Sequence, residues 1–571
     1  MNPIYLHLGA GTRKLPGFIN IDIESGADMQ LDLTQPLPWE ERSIAGIFSE
    51  HFIEHISQAD AIGLLRECRR VLAPGGVVRI ATPDLSEMVR DYTEQRISPT
   101  WEKFGLTWTA NRCERFNIGM RWWGHQWIYD EEELTRLARM VGLEPRGRYA
   151  IGESDLPVFR NLEYREGSRL ILEFAKPDRR PAAEANPLVS ITIPSYRPRF
   201  FEAALQSALA QTYANIEIVI CDDCPDRGIE TIVGKYRESH PNIRYFRNEV
   251  RLEGKNFVRC VEEAHGEFIK FLNDDDLLAP NCVERMLDCF RTVPDITLVT
   301  SKRTRIDEEG RALPDILATR PVIEEDALIE GLTLGAALLS SGLNFVGEPT
   351  TAMFLKADVI HLKPDYVTVD NHAICGINDI AMWTNLAIQG NAAYLVEPLS
   401  RFRIHANQSQ VELRDKVAAG TVTGFSVIRA SWDRRGLSRG QFSGTILWKP
   451  LRAPDTAWRA RTIVEGGGWR DVPSFAPRAH SNTPWPSETA IRVRLDTFST
   501  YHYLHWLDVR KLDELDARIF QEHASTLWKK RRLFEFCLVL KPGTEALLAD
   551  SIDALKQQYY DGWRLSIFAR T

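Results

Sequence analysis

The chain has 571 residues, an apolar share of 44% and a formal net charge of −8. That length accommodates three or four domains of ordinary size, and the composition is that of a globular protein. The negative balance excludes a general binder of nucleic acid or anionic membrane, and nine cysteines without paired spacing exclude a disulfide framework.

Tyr5-Leu-His-Leu-Gly9 already reads as a strand entering a turn, so no signal peptide is expected. Residues 1–175 alternate short apolar strands with helical patterns, which predicts an α/β domain. The first strand ends in Gly9-Ala-Gly11, where missing side chains let a ligand approach the backbone. Asp22 closes the next strand, Phe18-Ile-Asn-Ile-Asp22, at a place where a carboxylate accepts hydrogen bonds from two ribose hydroxyls. Asp32 follows in Met29-Gln-Leu-Asp-Leu33, placed for an adenine edge. Then come Glu50-His51-Phe-Ile-Glu54-His55 and the helical run Leu65-Arg-Glu-Cys-Arg-Arg-Val-Leu-Ala-Pro-Gly-Gly76.

This series resembles the class I S-adenosylmethionine-dependent methyltransferases over about residues 3–175. The resemblance implies a seven-stranded Rossmann-like sheet. Gly9 and Gly11 would lie by the methionine part of the cofactor S-adenosylmethionine, Asp22 by its ribose and Asp32 by its adenine. His51-Phe-Ile-Glu-His55 also matches the H-x-x-E-H pattern of zinc peptidases. Such a site needs the motif inside a long helix plus a distant third ligand, whereas here it falls between a strand and a helix. His51 and His55 are expected to line the cofactor cleft or to cap the helix. His125, in Trp122-Trp-Gly-His-Gln-Trp127, is the candidate general base for a hydroxyl acceptor, because histidine titrates in the useful range. A structural histidine in an aromatic core fits the same residues. The tryptophans suit either stacking on sugar faces or filling that core.

Residues 176–187 carry three prolines and no apolar periodicity, and predict a linker. A second α/β domain is expected over 188–412. Ile191-Thr-Ile-Pro194-Ser-Tyr196 ends a buried strand, and Glu217-Ile-Val-Ile-Cys-Asp222-Asp223 ends the next in a carboxylate pair suited to a nucleoside base edge and ribose. Cys221-Asp-Asp-Cys224 is formally C-x-x-C, but its two aspartates at a strand end argue against redox chemistry. Glu267-Phe-Ile-Lys-Phe-Leu-Asn-Asp274-Asp275-Asp276 runs a short apolar strand into three carboxylates. Three like charges need a compensating cation or full solvation. A divalent ion shared with a diphosphate satisfies the first, and an acidic turn capping the next helix satisfies the second. The longest uncharged apolar run, Leu332–Val346, is too short for a membrane span and is broken by Gly335, Ser340, Ser341 and Gly342. Cys375-Gly-Ile-Asn378-Asp379 then places an isolated carboxylate at a helix start, where it serves as a base or as an N-cap, and Arg401-Phe-Arg-Ile-His405 follows.

In this order and spacing the four signals resemble a family 2 glycosyltransferase of the GT-A fold, over about residues 187–412. The resemblance assigns Asp222, Asp223 and Asp274 to a nucleotide-sugar donor, and Asp275, Asp276 and His405 to Mg²⁺ or Mn²⁺. It makes Asp379 the general base of an inverting transfer. Two departures stand out: Asn273 replaces the first carboxylate of Asp-x-Asp, and Asn378 precedes Asp379 where the family usually has Glu.

Residues 413–530 are expected to be a mixed accessory or spacer region, containing the alternating strand Ile491-Arg-Val-Arg-Leu495 and the aromatic run Tyr501-His-Tyr-Leu-His-Trp506. Lys529-Lys-Arg-Arg532 reads as a solvated helix face. The last segment, 531–571, repeats an earlier one. Pro194 to Ile218, with Ser207 and Gln211-Thr-Tyr213, aligns with Pro542 to Leu565, with Ser551 and Gln558-Tyr-Tyr560. This predicts the start of a second GT-A-like domain, with its own carboxylates beyond Thr571 in a longer protein.

The whole resembles multidomain enzymes of bacterial surface-glycan assembly. It implies sugar transfer plus O-methylation in the cytoplasm, on a glycan or lipid-linked glycan acceptor. Two alternatives remain at this level: glycosylation of a protein such as a flagellin or adhesin, and a first domain that only binds or scaffolds. No nucleic-acid partner and no transmembrane segment are expected, and peripheral membrane association stays open.

Overall fold

The computed structural model describes residues 3–97, 101, 108–181, 185–362, 364–374, 376–406, 408, 414–438, 444–464, 468–472, 534–540 and 563–569. Chain contacts divide it into two units, 1–480 and 481–571.

The first unit opens with seven strands: β1 Tyr5–Leu8, β2 Ile19–Asp22, β3 Met29–Gln30, β4 Ile44–Glu50, β5 Leu72–Thr82, β6 Glu144–Arg148 and β7 Leu170–Ala175. They form one sheet in the order β3-β2-β1-β4-β5-β7-β6. The β3–β2–β1–β4–β5 portion is parallel, and β7 runs antiparallel between β5 and β6. Parallel strands buried on both faces need continuous apolar runs, as Ile47 and Phe48 in β4 and Val77 and Val78 in β5 supply. The β1–β2 connection contains no helix. Ser57 and Asp130 cap the flanking helices Gln58–Val71 and Glu131–Met140 by accepting from the N–H groups of Asp60 and Glu133.

A second, larger sheet follows. Its strands are β8 Val189–Ser195, β9 Ile216–Asp222, β10 Ile243–Arg247, β11 Phe268–Phe271, β12 Leu277–Leu278, β13 Ile296–Ile306, β14 Ala312–Leu313, β15 Ala327–Ile329, β16 Met353–Leu355 and β19 Asn391–Arg403. A small separate hairpin pairs β17 Thr368–Val369 with β18 His372–Ala373. Strands β20 Thr445–Pro450, β21 Arg459–Ile463 and β22 Trp469–Val472 extend the large sheet beyond β15, giving the order β10-β9-β8-β11-β16-β13-β19-β15-β20-β21-β22. At its start β10, β9, β8 and β11 are parallel neighbours, so the ends of β8, β9 and β11 open on one edge.

The region expected as a spacer from residue 413 is therefore, through Val472, a part of this sheet. Leu328 pairs with Lys449 across β15 and β20, and Trp432 of the helix Arg414–Arg434 packs so closely on Gly335 that a Cβ there would stand 2.2 Å from the indole. Its tryptophans fill a core, and that burial keeps the segment with the sheet.

The expected linker is likewise no free tether. Lys176 is fully buried and 2.9 Å from Asp295, while Arg179 grips Asp358 through three hydrogen bonds of 2.8–2.9 Å. One continuous apolar cluster joins residues of both sheets, from Leu6 and Leu137 to Leu386 and Trp432. No helix among the described residues is long and apolar enough to cross a membrane.

In the second unit, β23 Phe534–Leu540 and β24 Trp563–Ala569 pair in parallel, as β8 and β9 do in the first copy of the repeat. The stretches 491–495, 501–506 and 529–532, and the segment 541–562 where the repeat would place a helix, lie outside the described residues.

Candidate active sites

The carboxylate triplet sits at the open end of β11, and its three members face different ways. Asp276 is fully buried. Its Oδ2 accepts from Thr350 Oγ1 at 2.6 Å and Asn273 Nδ2 at 3.1 Å, and its Oδ1 accepts from Arg403 N at 2.9 Å. Both oxygens are committed to the protein, so Asp276 holds the turn in shape; it departs here from the expected ligand set. Asp274 Oδ2 accepts from the backbone N–H groups of Tyr196 and Arg197 at 2.6 and 2.9 Å, which ties the triplet to the end of β8. Burial, and then the neighbouring Asp275, push the Asp274 carboxyl up to about 7, and the same two causes push Asp276 well up.

Asp275 is the member left for a ligand. Its Oδ2 stands 3.0 Å from His405 Nε2, and His405 Nδ1 is buried with no hydrogen-bond partner among the described residues. Asp274, Asp275, His405, Arg197, Arg199 and Phe200 line one small cleft of about 40 Å³. Arg403, donating from Nε to the Asp275 carbonyl at 2.8 Å, stacks on the Phe200 ring with Arg199. An oxygen, an imidazole and a cluster of repelling carboxylates fit a divalent cation, and the arginines suit phosphate oxygens.

The pair at the end of β9 is buried. Asp222 accepts from Cys224 N at 2.7 Å and Tyr245 Oη at 2.6 Å. Asp223 accepts from Asn248 Nδ2 and from the N–H groups of Leu252 and Glu253. Cys221 and Cys224 are free thiols, and Cys224 donates to Asp226.

Asp379 lies in the first turn of the helix Asn378–Gln389. Its Oδ2 accepts from Asn344 Nδ2 at 2.7 Å and its Oδ1 from Ile380 N at 2.8 Å. Burial pushes its carboxyl up to about 7 against the hydrogen bond from Ile380. Asp379 is outside the small cleft, and the loop 344–351 connects the two. Asn344 holds Asp379 at one end of that loop, while at the other the Thr350 hydroxyl donates to Asp276 and its oxygen accepts from Asn273 N–H. Lys270, buried in β11, donates to the carbonyls of Thr350 and Ala352 and fixes the same loop from behind.

In the N-terminal sheet, Gly9 and Gly11 have φ of +69° and +53°. A Cβ on Gly9 would stand 2.6 Å from that of Phe52, whereas nothing lies within 4 Å of the position above Gly11. Gly11 N donates to Asp22 Oδ2 at 2.7 Å. This is an open cradle with a carboxylate at its rim, and it fits an adenosyl-type ligand. Asp32 is exposed and accepts from Thr34.

A cleft of about 490 Å³ adjoins the ends of β4 and β5, lined by His51, His55, Asp84, Glu87, Trp123 and His125 among others. The H-x-x-E-H residues occupy a turn and the short helix Ile53–His55 and not a long helix. His51 has φ +52°, a strained setting that bulky residues adopt at functional sites. His125 Nδ1 is 2.9 Å from the Gly119 carbonyl, and burial lowers its pKa.

The residues 190–339 match the family model Glycosyl transferase family 2, and residues 19–80 match the model Methyltransferase domain. The chain carries a methyltransferase domain followed by a family 2 glycosyltransferase domain. The chain is 33% identical over 128 residues to a chondroitin synthase of Escherichia coli, a match covering 22% of this chain and 19% of that one. An uncharacterized glycosyltransferase of Rickettsia felis is 34% identical over 163 residues, 27% of each chain. The chain thus spans about a fifth to a quarter of the length of these relatives. Among solved structures, S. aureus TarS 1-349 in complex with UDP aligns with a TM-score of 0.31 at 17% identity, over 42% of this chain and 65% of that one.

Sequence reasoning missed Arg197, Arg199, Lys270, Asn344 and Thr350. Lys270 was visible as a lone charge in an apolar strand. Asn344 and Thr350 carry no motif, because their role comes from a loop that folds back over the triplet.

Proposed function

We propose that this chain transfers a sugar from a nucleotide-sugar donor to a glycan hydroxyl with inversion, and methylates a glycan hydroxyl, in bacterial surface polysaccharide biosynthesis. The carrying observation is the Asp275–His405 pair, set among repelling buried carboxylates and facing arginines in one cleft. Mg²⁺ or Mn²⁺ held by Asp275 and His405 would supply neutralising charge to a departing diphosphate. Arg197, Arg199 and Arg403 bind and orient the phosphate oxygens. Asp222 and Asp223 close the nucleoside end. Asp379, poised near neutrality, takes the proton of the acceptor hydroxyl as that oxygen attacks the anomeric carbon from the face opposite the leaving group. One displacement inverts the centre.

On the methyltransferase side, Gly9, Gly11 and Asp22, with Asp32 beside the adenine, would hold S-adenosylmethionine, which supplies an electrophilic methyl group. His125, with Nδ1 engaged by Gly119, turns Nε2 towards the cleft to accept the acceptor's proton. Trp108, Trp122, Trp123 and Trp127 are 40–62% exposed, which favours sugar stacking over core filling and supports a glycan acceptor. The likeness to a chondroitin synthase supports the same acceptor class.

The test is a thermal-shift panel of nucleotide sugars with and without Mn²⁺, alongside calorimetry with S-adenosylmethionine. Stabilisation by one donor only when Mn²⁺ is present is expected, together with S-adenosylmethionine binding. No response to any donor sinks the transferase reading. No cofactor binding in a chain with intact sugar transfer leaves the first domain a scaffold.

A further inference from the structure

The turn after β4 and the loop before Glu131 bring Glu54, His55 and His125 together, with one ligand atom from each within 4.8 Å of the others. The backbone is fixed around them: Gln126 donates from its N–H to the Glu54 carbonyl at 2.7 Å and from Nε2 to the His55 carbonyl at 2.7 Å. His125 uses Nδ1 on the Gly119 carbonyl at 2.9 Å, the outer hydrogen bond that metal-binding imidazoles characteristically make, leaving the Nε2 lone pair for an ion. Glu54 is fully buried. Its Oε2 accepts from Thr82 Oγ1 at 2.9 Å. Its Oε1 lies 2.9 Å from His51 Nδ1 without meeting hydrogen-bond geometry to any described residue, and His51 Nε2 is also unpartnered. A buried carboxylate oxygen beside three imidazoles is costly unless a cation or proton completes it.

We propose that Glu54, His55 and His125 bind one divalent transition-metal ion on the wall of the methyltransferase cleft, with His51 positioning Glu54. Two imidazoles and one carboxylate suit Zn²⁺ or its first-row neighbours rather than Mg²⁺ or Ca²⁺, and three protein ligands leave coordination positions open to the cleft. Those positions would take a hydroxyl of the acceptor sugar. With the ion bound, coordination would lower that hydroxyl's pKa and its proton would pass to water, with His125 serving as a ligand; in the ion-free chain His125 keeps the base role proposed above. The ion site rests on geometry alone; its part in acceptor binding rests on the methyl-transfer reading.

The test uses the full chain, stripped with chelator, carrying Asp275→Asn and His405→Ala to remove the ion of the glycosyltransferase domain. Titration with Co²⁺ is expected to give one bound ion per chain with visible d–d bands. His55→Ala and His125→Ala should each abolish the bands, and His125→Cys should restore binding with a new thiolate-to-cobalt charge-transfer band, which a misfolded variant would not show. No Co²⁺ binding, or bands indifferent to the histidine substitutions, overturns the site. S-adenosylmethionine calorimetry on the same samples separates the two readings: its absence refutes methyl transfer and leaves the ion result standing.

Discussion

Asp379→Asn tests the catalytic assignment of the glycosyltransferase domain through two observables that move in opposite directions. The carboxyl is held at about 7, above its ordinary 3.8, chiefly by burial. Below about pH 7 it is protonated and cannot accept the acceptor's proton. The wild-type kcat/KM should therefore rise about tenfold per pH unit up to that point and then level off. Removing the base should lower kcat by about 10²–10⁴-fold at pH 8, with donor binding retained. Stability runs the other way. A raised carboxyl pKa means that the folded chain holds a proton the unfolded chain has released, so wild-type stability falls as pH climbs from about 4 to about 7. The asparagine variant carries no such penalty. It should match wild type near pH 4 and exceed it at pH 8 by at most on the order of 4 kcal/mol, from about three pH units at 1.36 kcal/mol each. Release of nucleoside diphosphate in the presence of acceptor reads the first effect, and urea unfolding at the two pH values reads the second. Near-wild-type turnover in the variant, or a flat wild-type profile between pH 5 and 8, refutes the assignment.

Asp275→Asn should abolish the Mn²⁺-dependent thermal shift with a nucleotide sugar, whereas Asp276→Asn should chiefly lower Tm, because its oxygens serve Thr350, Asn273 and Arg403. Arg179→Met leaves Asp358 buried without its cation, and should cost about 3–5 kcal/mol in chemical denaturation. The double variant Arg179→Met/Asp358→Leu should recover most of it. Gly142→Ala forces a Cβ to 2.7 Å from the Gln389 carbonyl at φ +81°, and should destabilise by about 1–3 kcal/mol in the same assay. Trp122→Ala/Trp123→Ala should raise KM for the methyl acceptor without changing S-adenosylmethionine binding by calorimetry.

The elements with strong local signatures were legible from the sequence. Apolar runs that end in Gly9, Asp22, Asp223 or the triplet can only be strand ends, and the structure puts them at open sheet edges. Within the triplet the residue types are identical, so only the family resemblance divides their labour, giving Asp274 to the donor and Asp275 and Asp276 to the metal. In the structure Thr350 and Arg403, residues 74 and 127 positions away, capture both oxygens of Asp276, whereas Asp275 faces His405 in the cleft. The segment after 413 misled for a related reason. Its glycines and prolines read as irregular, but β20 finds its partner in β15, more than a hundred residues earlier in the chain. His125 and His55 gave no pattern together, because a turn and a distant loop bring their rings to 4.9 Å.

The join between the two domains is itself a constraint on function. The helix Asn378–Gln389, which carries Asp379 in its first turn, ends at a residue whose carbonyl abuts Gly142, directly after the helix Glu131–Met140 of the methyltransferase domain. Around that contact Asp295 faces Arg69 at 3.5 Å and Lys176 at 2.9 Å, and Asp358 is clamped by Arg179. All three cations come from the methyltransferase domain or the segment that follows it, and both carboxylates come from the glycosyltransferase domain. A fragment cut at residue 188 would therefore keep two carboxylates and lose every cation that neutralises them, while exposing the apolar cluster that runs through both sheets. Cutting at 412 would also remove β20–β22 and the Trp432 that fills the space over Gly335. The helix carrying Asp379 is thus held from both ends, by Asn344 of its own domain at Asp379 and by the neighbouring domain at Gln389. A disturbance of the methyltransferase packing surface at Gly142 therefore meets the far end of the helix that carries Asp379.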